Sequence, residues 1–461
     1  SKMWRYFVLL FPLWSFAQSN FNIELLDHWT NQGITSGFND ARYSDCWGYE
    51  MNGQEYAMLG STEGVHFFKI NDQNSFELLD FVPGKFSSAT VIHRDIKIYK
   101  NYAFLVCDEG TSSLQIVDLQ YLPDSVHVVY ENDSSFTRVH NVFLDEVNEL
   151  MYACSVQPSV NGILQPLIPM QVYSISDILN PVLLYEGPGD IPEVHDVYVR
   201  DNIAYLNCGF DGVRVYDFSD PVTPIFLQNF DLYQNQGYNH QGWLSPDGTK
   251  YVFADETNGS TVKSCSVNAN NEIEVRGNVS TNAAEGSVPH NVMITDDFAF
   301  VAYYNEGLRV YDIRPKLPAE IAHFDTYPVD EELFKMNGAW GVYSELPSQR
   351  ILVSDRVYGL YLLDFNRDVF QAQDPDNILC YPNPVAPSSS FTVKLEEDRE
   401  PSFVVEIFDI RGSKVYSKLI SNANYAVLPS PEAAGIYTVR ISYPTEDEQE
   451  VAQLCRLAVF Q

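Results

Sequence analysis

Five histidines, His93, His140, His195, His240 and His290, recur at intervals of 45 to 55 residues and account for more than half of the nine in the chain. Carboxylates recur with them: Asp108-Glu109 and Asp255-Glu256 sit at matching places in two of the repeats, and Asp95 and Asp196 lie close to their own histidines. A neutral imidazole donates a lone pair and a carboxylate balances charge, so convergence of these groups would make a divalent-metal site (Mn, Zn, Ca or Fe) or an acid–base pair. The competing reading is structural, because buried polar groups need partners and a residue repeated at one place in every unit usually serves the unit. That second reading carries more weight. Spacing alone does not bring three side chains within ligand distance.

The elements that must position these groups follow from the repeat. Each histidine opens a longer phrase, and with Trp47 and Trp340 there are seven openings. One phrase reads His195-Asp196-Val197-Tyr198-Val199, then Ala204 to Cys208, then Val213 to Phe218 after the turn Asp211-Gly212, then Ile225 to Phe230 after Asp220-Pro221. Four short strands in about 50 residues make one blade of a β-propeller. First strands are innermost in such a fold, so the histidines would form one layer around a central channel, where a divalent metal would sit. Trp47 and Trp340 fall where other blades carry the histidine or its neighbour, and they could form an apolar wall beside it suited to a sugar or aromatic ligand; plain packing is the simpler alternative. The opening Tyr238-Asn239-His240-Gln241-Gly242-Trp243 is the most irregular. Tyr238 and His240, with Trp47, Trp340, Asp108, Glu109, Asp255 and Glu256, are the candidate ligand-binding residues. The acidic-glycine turns Glu63-Gly64, Asp211-Gly212 and Glu306-Gly307 read as tight turns that need positive φ.

Counting runs exposes a gap, since the seventh phrase ends at Leu360 to Phe365 without a fourth strand. The run Phe21 to Asp27 resembles the outer strands Phe76 to Asp80 and Val182 to Tyr185 and supplies it. The expected fold is therefore all-β: a seven-bladed β-propeller over residues 20–366, closed by the N-terminal strand. A polar linker, 367–377, and a small immunoglobulin-like β-sandwich, 378–461, follow.

With 29 Tyr and 28 Phe in 461 residues and no long helical period, composition agrees with strands. A net charge of −34 excludes nucleic acid as a partner, because a polyanion needs clustered Lys and Arg. Residues 1–17 read as an export signal peptide, with Lys2 and Arg5, an apolar run, and small residues before Gln18. No later segment approaches a membrane span. Cys107, Cys154 and Cys208 hold equivalent places in successive second strands and read as buried thiols, whereas Cys380 and Cys455 share the last domain and could pair.

Three motifs in the tail, Tyr381-Pro382-Asn383-Pro384, Ile407 to Gly412 and Ala434 to Val439, resemble the C-terminal sorting domain of the type IX secretion system of the Bacteroidetes. The final residues Leu457 to Gln461 lack the basic residue often found there. The resemblance implies that the tail engages the type IX machinery, directs passage across the outer membrane, and is removed or exchanged for surface lipopolysaccharide. Leu114-Gln115-Ile116-Val117-Asp118, with Val213 to Asp217, Leu308 to Asp312 and Leu360 to Asp364, resembles the LVIVD repeat. Over residues 20–366 the chain resembles the choice-of-anchor B family of such propellers.

No serine elbow, phosphate loop, metalloprotease helix or paired-cysteine zinc motif is present. The expectation is a secreted propeller at the cell surface or beyond it, binding an extracellular protein or glycan. The alternative is a metal-assisted lyase or hydrolase of an extracellular polymer that works at the histidines.

Overall fold

The structure is a computed structural model and describes residues 20–112, 114–279, 286–314, 318–328, 336–367, 380–381, 385–394, 402–421, 423, 425–444 and 450–459. The expected signal peptide and residues 368–377 of the expected linker lie outside the described residues.

The chain is all-β, and the described residues of 20–364 build seven large antiparallel sheets, none of which closes on itself, and a small hairpin of Ser159–Val160 with Ile163–Leu164. Each large sheet is a meander of four principal strands. The first strands are Tyr43–Met51, Arg94–Tyr99, Asn141–Asp145, Asp196–Arg200, Asn239–Leu244, Val292–Ile294 and Ala339–Tyr343. Each lies beside the first strand of the next sheet, and Ala339–Tyr343 lies beside Tyr43–Met51. The alternating apolar runs explain the arrangement: both faces of a sheet are buried against neighbours, and the outermost strand is left half exposed.

Two rings of side-chain bonds tie sheet to sheet. Near the first strands, Asp45 accepts from the Ile96 amide (3.4 Å), Asp95 from Val142 (2.9 Å) and Gln241 from Val292 (2.7 Å), while Asn141 donates to Asp196 (3.0 Å). Near the outer strands, Asp80 accepts from the Val126 amide (2.9 Å) and Gln228 from Ile273 (2.9 Å). Asp27, on the N-terminal segment, accepts from the Phe76 amide (2.6 Å) in the same way. Such bonds satisfy amides at strand starts that would otherwise be orphaned in a seam.

The strand Glu24–Trp29 pairs with Gly359–Asp364, as the fourth strand of the seventh sheet. Its ladder slips between Leu25 and Asp27. The other six third-to-fourth pairings slip too, for instance at Val128/Tyr130, Val215/Tyr216 and Val310/Tyr311. A bulge sharpens the twist that lets an outer strand splay from its neighbour. One further contact was not expected. Asn20–Phe21 pairs with Ala319–Phe324, so the N-terminal segment spans the outer edges of two adjacent sheets.

Glycine in the acidic-glycine turns has a second cause beyond φ. Gly212 and Gly307 have φ of +75° and +70°, as expected, but Gly64 is not left-handed. All three carry an outer-strand carbonyl where Cβ would be, at 2.4, 2.1 and 2.2 Å. Close backbone approach is the shared requirement.

The tail has a three-stranded and a four-stranded sheet enclosing Phe391, Val405, Ile407, Val439 and Leu457, and a disulfide joins Cys380 to Cys455. The other five cysteines are free and buried. Thr392 donates to the Glu320 carbonyl at 2.6 Å, which places the three-stranded sheet against the outer strand Ala319–Phe324.

Asp355 closes the second strand of the seventh sheet, where its Oδ1 accepts from the Val357 and Tyr358 amides at 2.8 Å each. Burial pushes its carboxyl up to about 7. A carboxyl whose folded pKa is raised binds its proton more tightly when folded, so stability falls as pH rises from about 4 to 7 and stays lowered above. Asn retains the accepting oxygen. The melting temperature of Asp355→Asn should exceed that of the parent at pH 8 and lose this advantage at pH 4; an equal difference at both would refute the assignment.

Candidate functional site

The positions that open the seven first strands converge on one axis and form three layers along it. At one end lie the histidines. His140 and His195, His195 and His240, and His240 and His290 have ring centroids 4.2 Å apart, and His93 lies 5.9 Å from His140. Trp340 completes the circuit, 4.8 Å from His290 and 5.1 Å from His93. A cavity of about 20 Å³ lies within, lined also by Asp45, Asp95, Asn141 and Asp196.

The carboxylates divide the histidines into two electrostatic classes. Asp108 bridges His140 (2.6 Å) and His93 (3.4 Å), and Glu109 forms a very short bond to His93. Burial opposes charge on His93, but these partners outweigh it and raise its pKa to about 9. Asp108, conversely, is held below the usual carboxylate range by the two imidazoles despite its burial. His195, His240 and His290 are buried. Burial and then the neighbouring imidazoles hold His195 and His290 well below the usual value, and burial lowers His240 to about 4. They are neutral at physiological pH.

Glu256 stands 3.8 Å from His240 Nε2 and 3.9 Å from His290 Nε2, and accepts from the Tyr304 hydroxyl at 2.6 Å. Tyr238 packs 5.4 Å from His195 and donates to Glu193 at 2.8 Å. A recess of about 210 Å³, lined by Asp108, Arg138, His140, Ser155, Glu193 and His195, opens beside this cluster.

Two expected members are elsewhere. Asp255 is fully buried inside its own sheet, 2.7 Å from Lys263 and bonded to Tyr233 and Gly237. Its neighbour Glu256 faces the axis instead, because successive residues leave a strand on opposite sides. Trp47 is not beside Trp340, so the two do not form a wall. Asp45, not Trp47, matches Asp95 and Asp196 in the inner bonds, which puts Trp47 two residues further along its strand, toward the other end of the axis.

That far end is an aromatic recess. Trp47, Phe143, Trp243 and Tyr343 line about 350 Å³ together with Lys97, Lys100, Glu50, Glu146 and Glu345. Trp47 packs 4.9 Å from Tyr343 and 6.4 Å from Trp243, which in turn packs 4.8 Å from Tyr198. Between recess and histidines lies a charged layer: Lys97 bonds Asp95, approaches Asp45 at 3.7 Å and lies 4.4 Å over the Trp47 ring. Lys97, Phe143, Trp243 and Tyr343 were missed in the sequence. A signal exists for the first three, since each lies two residues after a side chain that bonds the neighbouring sheet, whereas Tyr343 follows Gly341, which has no such side chain.

Comparison with known proteins bears on both ends of the chain. Residues 379–452 match the family described as secretion system C-terminal sorting domain, and residues 288–326 match the LVIVD repeat. The chain carries an LVIVD repeat and a type IX sorting tail. The tail marks it for secretion by the type IX system. No curated protein matches. Among solved structures the chain is similar to the RRP9 WD40 repeats, with 9% identity, a TM-score of 0.52 and coverage of 75% of this chain and 97% of that one. It also matches the computationally designed Ika8 protein at 10% identity and a TM-score of 0.44, over 71% of this chain and 98% of that one. At such identity the WD40 likeness shows the fold alone. No described helix is long and apolar enough to cross a membrane.

Proposed function

We propose that residues 20–366 form a seven-bladed propeller of the choice-of-anchor B type, closed by Glu24–Trp29, joined by the linker 367–377 to a Bacteroidetes sorting domain at 378–461. The propeller binds an extracellular glycan at the cell surface or after release, and the tail is removed or exchanged for lipopolysaccharide during export. The ring of neighbouring first strands, and the bulge and Asp27 bond that the N-terminal strand shares with other fourth strands, support the architecture.

The observation that carries the binding function is the recess with Trp47, Phe143, Trp243 and Tyr343 on its walls and Glu50, Glu146, Glu345 and Lys100 among them. Its volume falls in the range of small-ligand sites, and aromatic faces beside a few polar groups match the apolar C–H face and hydroxyl edge of a sugar ring. Titrating the mature protein with a panel of neutral and amino-bearing oligosaccharides should quench tryptophan fluorescence. Trp243→Ala should weaken binding about 30-fold, the loss typical of a central aromatic anchor. An intact protein that binds a sugar with unchanged affinity after both Trp47→Ala and Trp243→Ala would refute the recess as its site.

The second reading, metal-assisted cleavage of an extracellular polymer, is favoured by imidazole and carboxylate atoms lying within 4.8 Å of one another. Against it, the cavity inside the histidine circuit is far smaller than a sugar ring. The 210 Å³ recess beside His140 and His195 offers a substrate access.

A further inference from the structure

The nitrogens of the histidine circuit are used unequally. Nδ1 of His195 donates to the His240 carbonyl (3.1 Å), Nδ1 of His290 to the Trp340 carbonyl (2.7 Å), and Nδ1 of His140 bonds Asp108 (2.6 Å). These bonds cross from one sheet to the next, so the structural duty of the repeated histidine is discharged by Nδ1. The carbonyl acceptors fix the tautomer of His195 and His290 and leave Nε2 with a lone pair, and Asp108 holds His140 as a carboxylate orients a metal-ligating histidine. Nδ1 of His240 is buried and makes no hydrogen bond of good geometry, facing only the His290 backbone.

We infer that His140, His195 and His240 hold one divalent transition ion of the zinc class through Nε2. Three nitrogens, one from each, lie within 4.8 Å of one another, against about 3.3 Å between ligands of a tetrahedral zinc with bonds of about 2.0–2.1 Å. Small side-chain rotations close that difference. The cavity they enclose, about 20 Å³, holds one water-sized body. Imidazole donors select zinc-class ions over magnesium or calcium, which take oxygen. Three protein ligands leave a fourth position, and Glu256, 3.8 Å from His240 Nε2, is placed to accept a hydrogen bond from water there. His93 is not one of the three, because it groups with Asp108 and Glu109 rather than with His140, His195 and His240.

The ion is independent of the glycan recess, which lies at the opposite end of the axis. The test uses the mature protein, stripped with a chelator, dialysed and titrated with Zn²⁺ alone. One ion should bind per chain and raise the melting temperature, and Co²⁺ should give the intense visible absorption of a tetrahedral site. His240→Gln is the informative variant, since its Nδ1 has the weakest sheet-to-sheet bond of the four to lose. It should melt close to the metal-free parent yet bind Zn²⁺ about 100-fold more weakly, at least what loss of an outer partner costs in such sites. Should His240→Gln fail to fold, His195→Gln serves in its place. His127→Gln, at an exposed histidine, should change nothing. Absence of stoichiometric Zn²⁺ binding, or binding unaffected by the folded ring variant, would overturn the assignment.

Discussion

Deletion of residues 20–29 lowers the melting temperature of the propeller by about 10 °C or more. The segment buries Phe21 and Ile23, at about 1.5–3 kcal/mol each, and packs Leu26 and Trp29 against the seam between seventh and first sheets. It also carries the Asp27–Phe76 bond, worth about 1 kcal/mol, and covers the edge of Gly359–Asp364, whose amides and carbonyls would otherwise be open. A total of about 6 kcal/mol at about 2 °C per kcal/mol gives the stated shift. Because Asn20–Phe21 grips the sixth sheet as well, loss should extend beyond the seventh. Thermal denaturation of the shortened chain checks this, and a transition within about 2 °C of the parent would show that the segment is dispensable.

Lys97→Met carries the other large effect. The ammonium is enclosed with Asp45, Asp95 and, further off, Asp196, and burial pushes Asp45 well above the usual carboxylate range and Asp196 up to about 7. Burial also disfavours the lysine charge, but Asp95 and Asp45 outweigh it and raise its pKa. Removing one partner of a buried ionic cluster leaves carboxylates without compensation, which costs about 3–5 kcal/mol. Protonation relieves that cost. The deficit of Lys97→Met should therefore be largest at pH 8 and shrink toward pH 5, measured as the difference in melting temperature from the parent. A deficit that grows on acidification would contradict the cluster.

What could be read from the sequence, and what could not, follows from the physics of strands. Copies of one phrase expose the sheets, because period-two alternation and turn residues are local. Glu24-Leu25-Leu26-Asp27 repeats Glu77-Leu78-Leu79-Asp80, and Asp27 and Asp80 each accept the amide that starts the next outer strand. Which side a residue faces at a strand end is not local. Asp255 and Glu256 are neighbours, yet one pairs with Lys263 inside the sheet and the other meets His240 and His290. Trp47 was aligned by its aromatic character, whereas the inter-sheet bond of Asp45 sets the register. Nothing local marks Lys97 as enclosed, because Asp45 and Asp196 reach it from other sheets. The second partner of the N-terminal segment was equally hidden, since a two-residue pairing such as Asn20–Phe21 leaves no pattern.

The functional sites depend on seven first strands sharing one axis, with the histidines and Trp340 at one end and Trp47 and Trp243 at the other. An electron-density map of the mature protein tests that directly. It should show seven four-stranded sheets about the axis, with Glu24–Trp29 hydrogen-bonded to Gly359–Asp364. Six or eight sheets, or the N-terminal strand paired elsewhere, would contradict it.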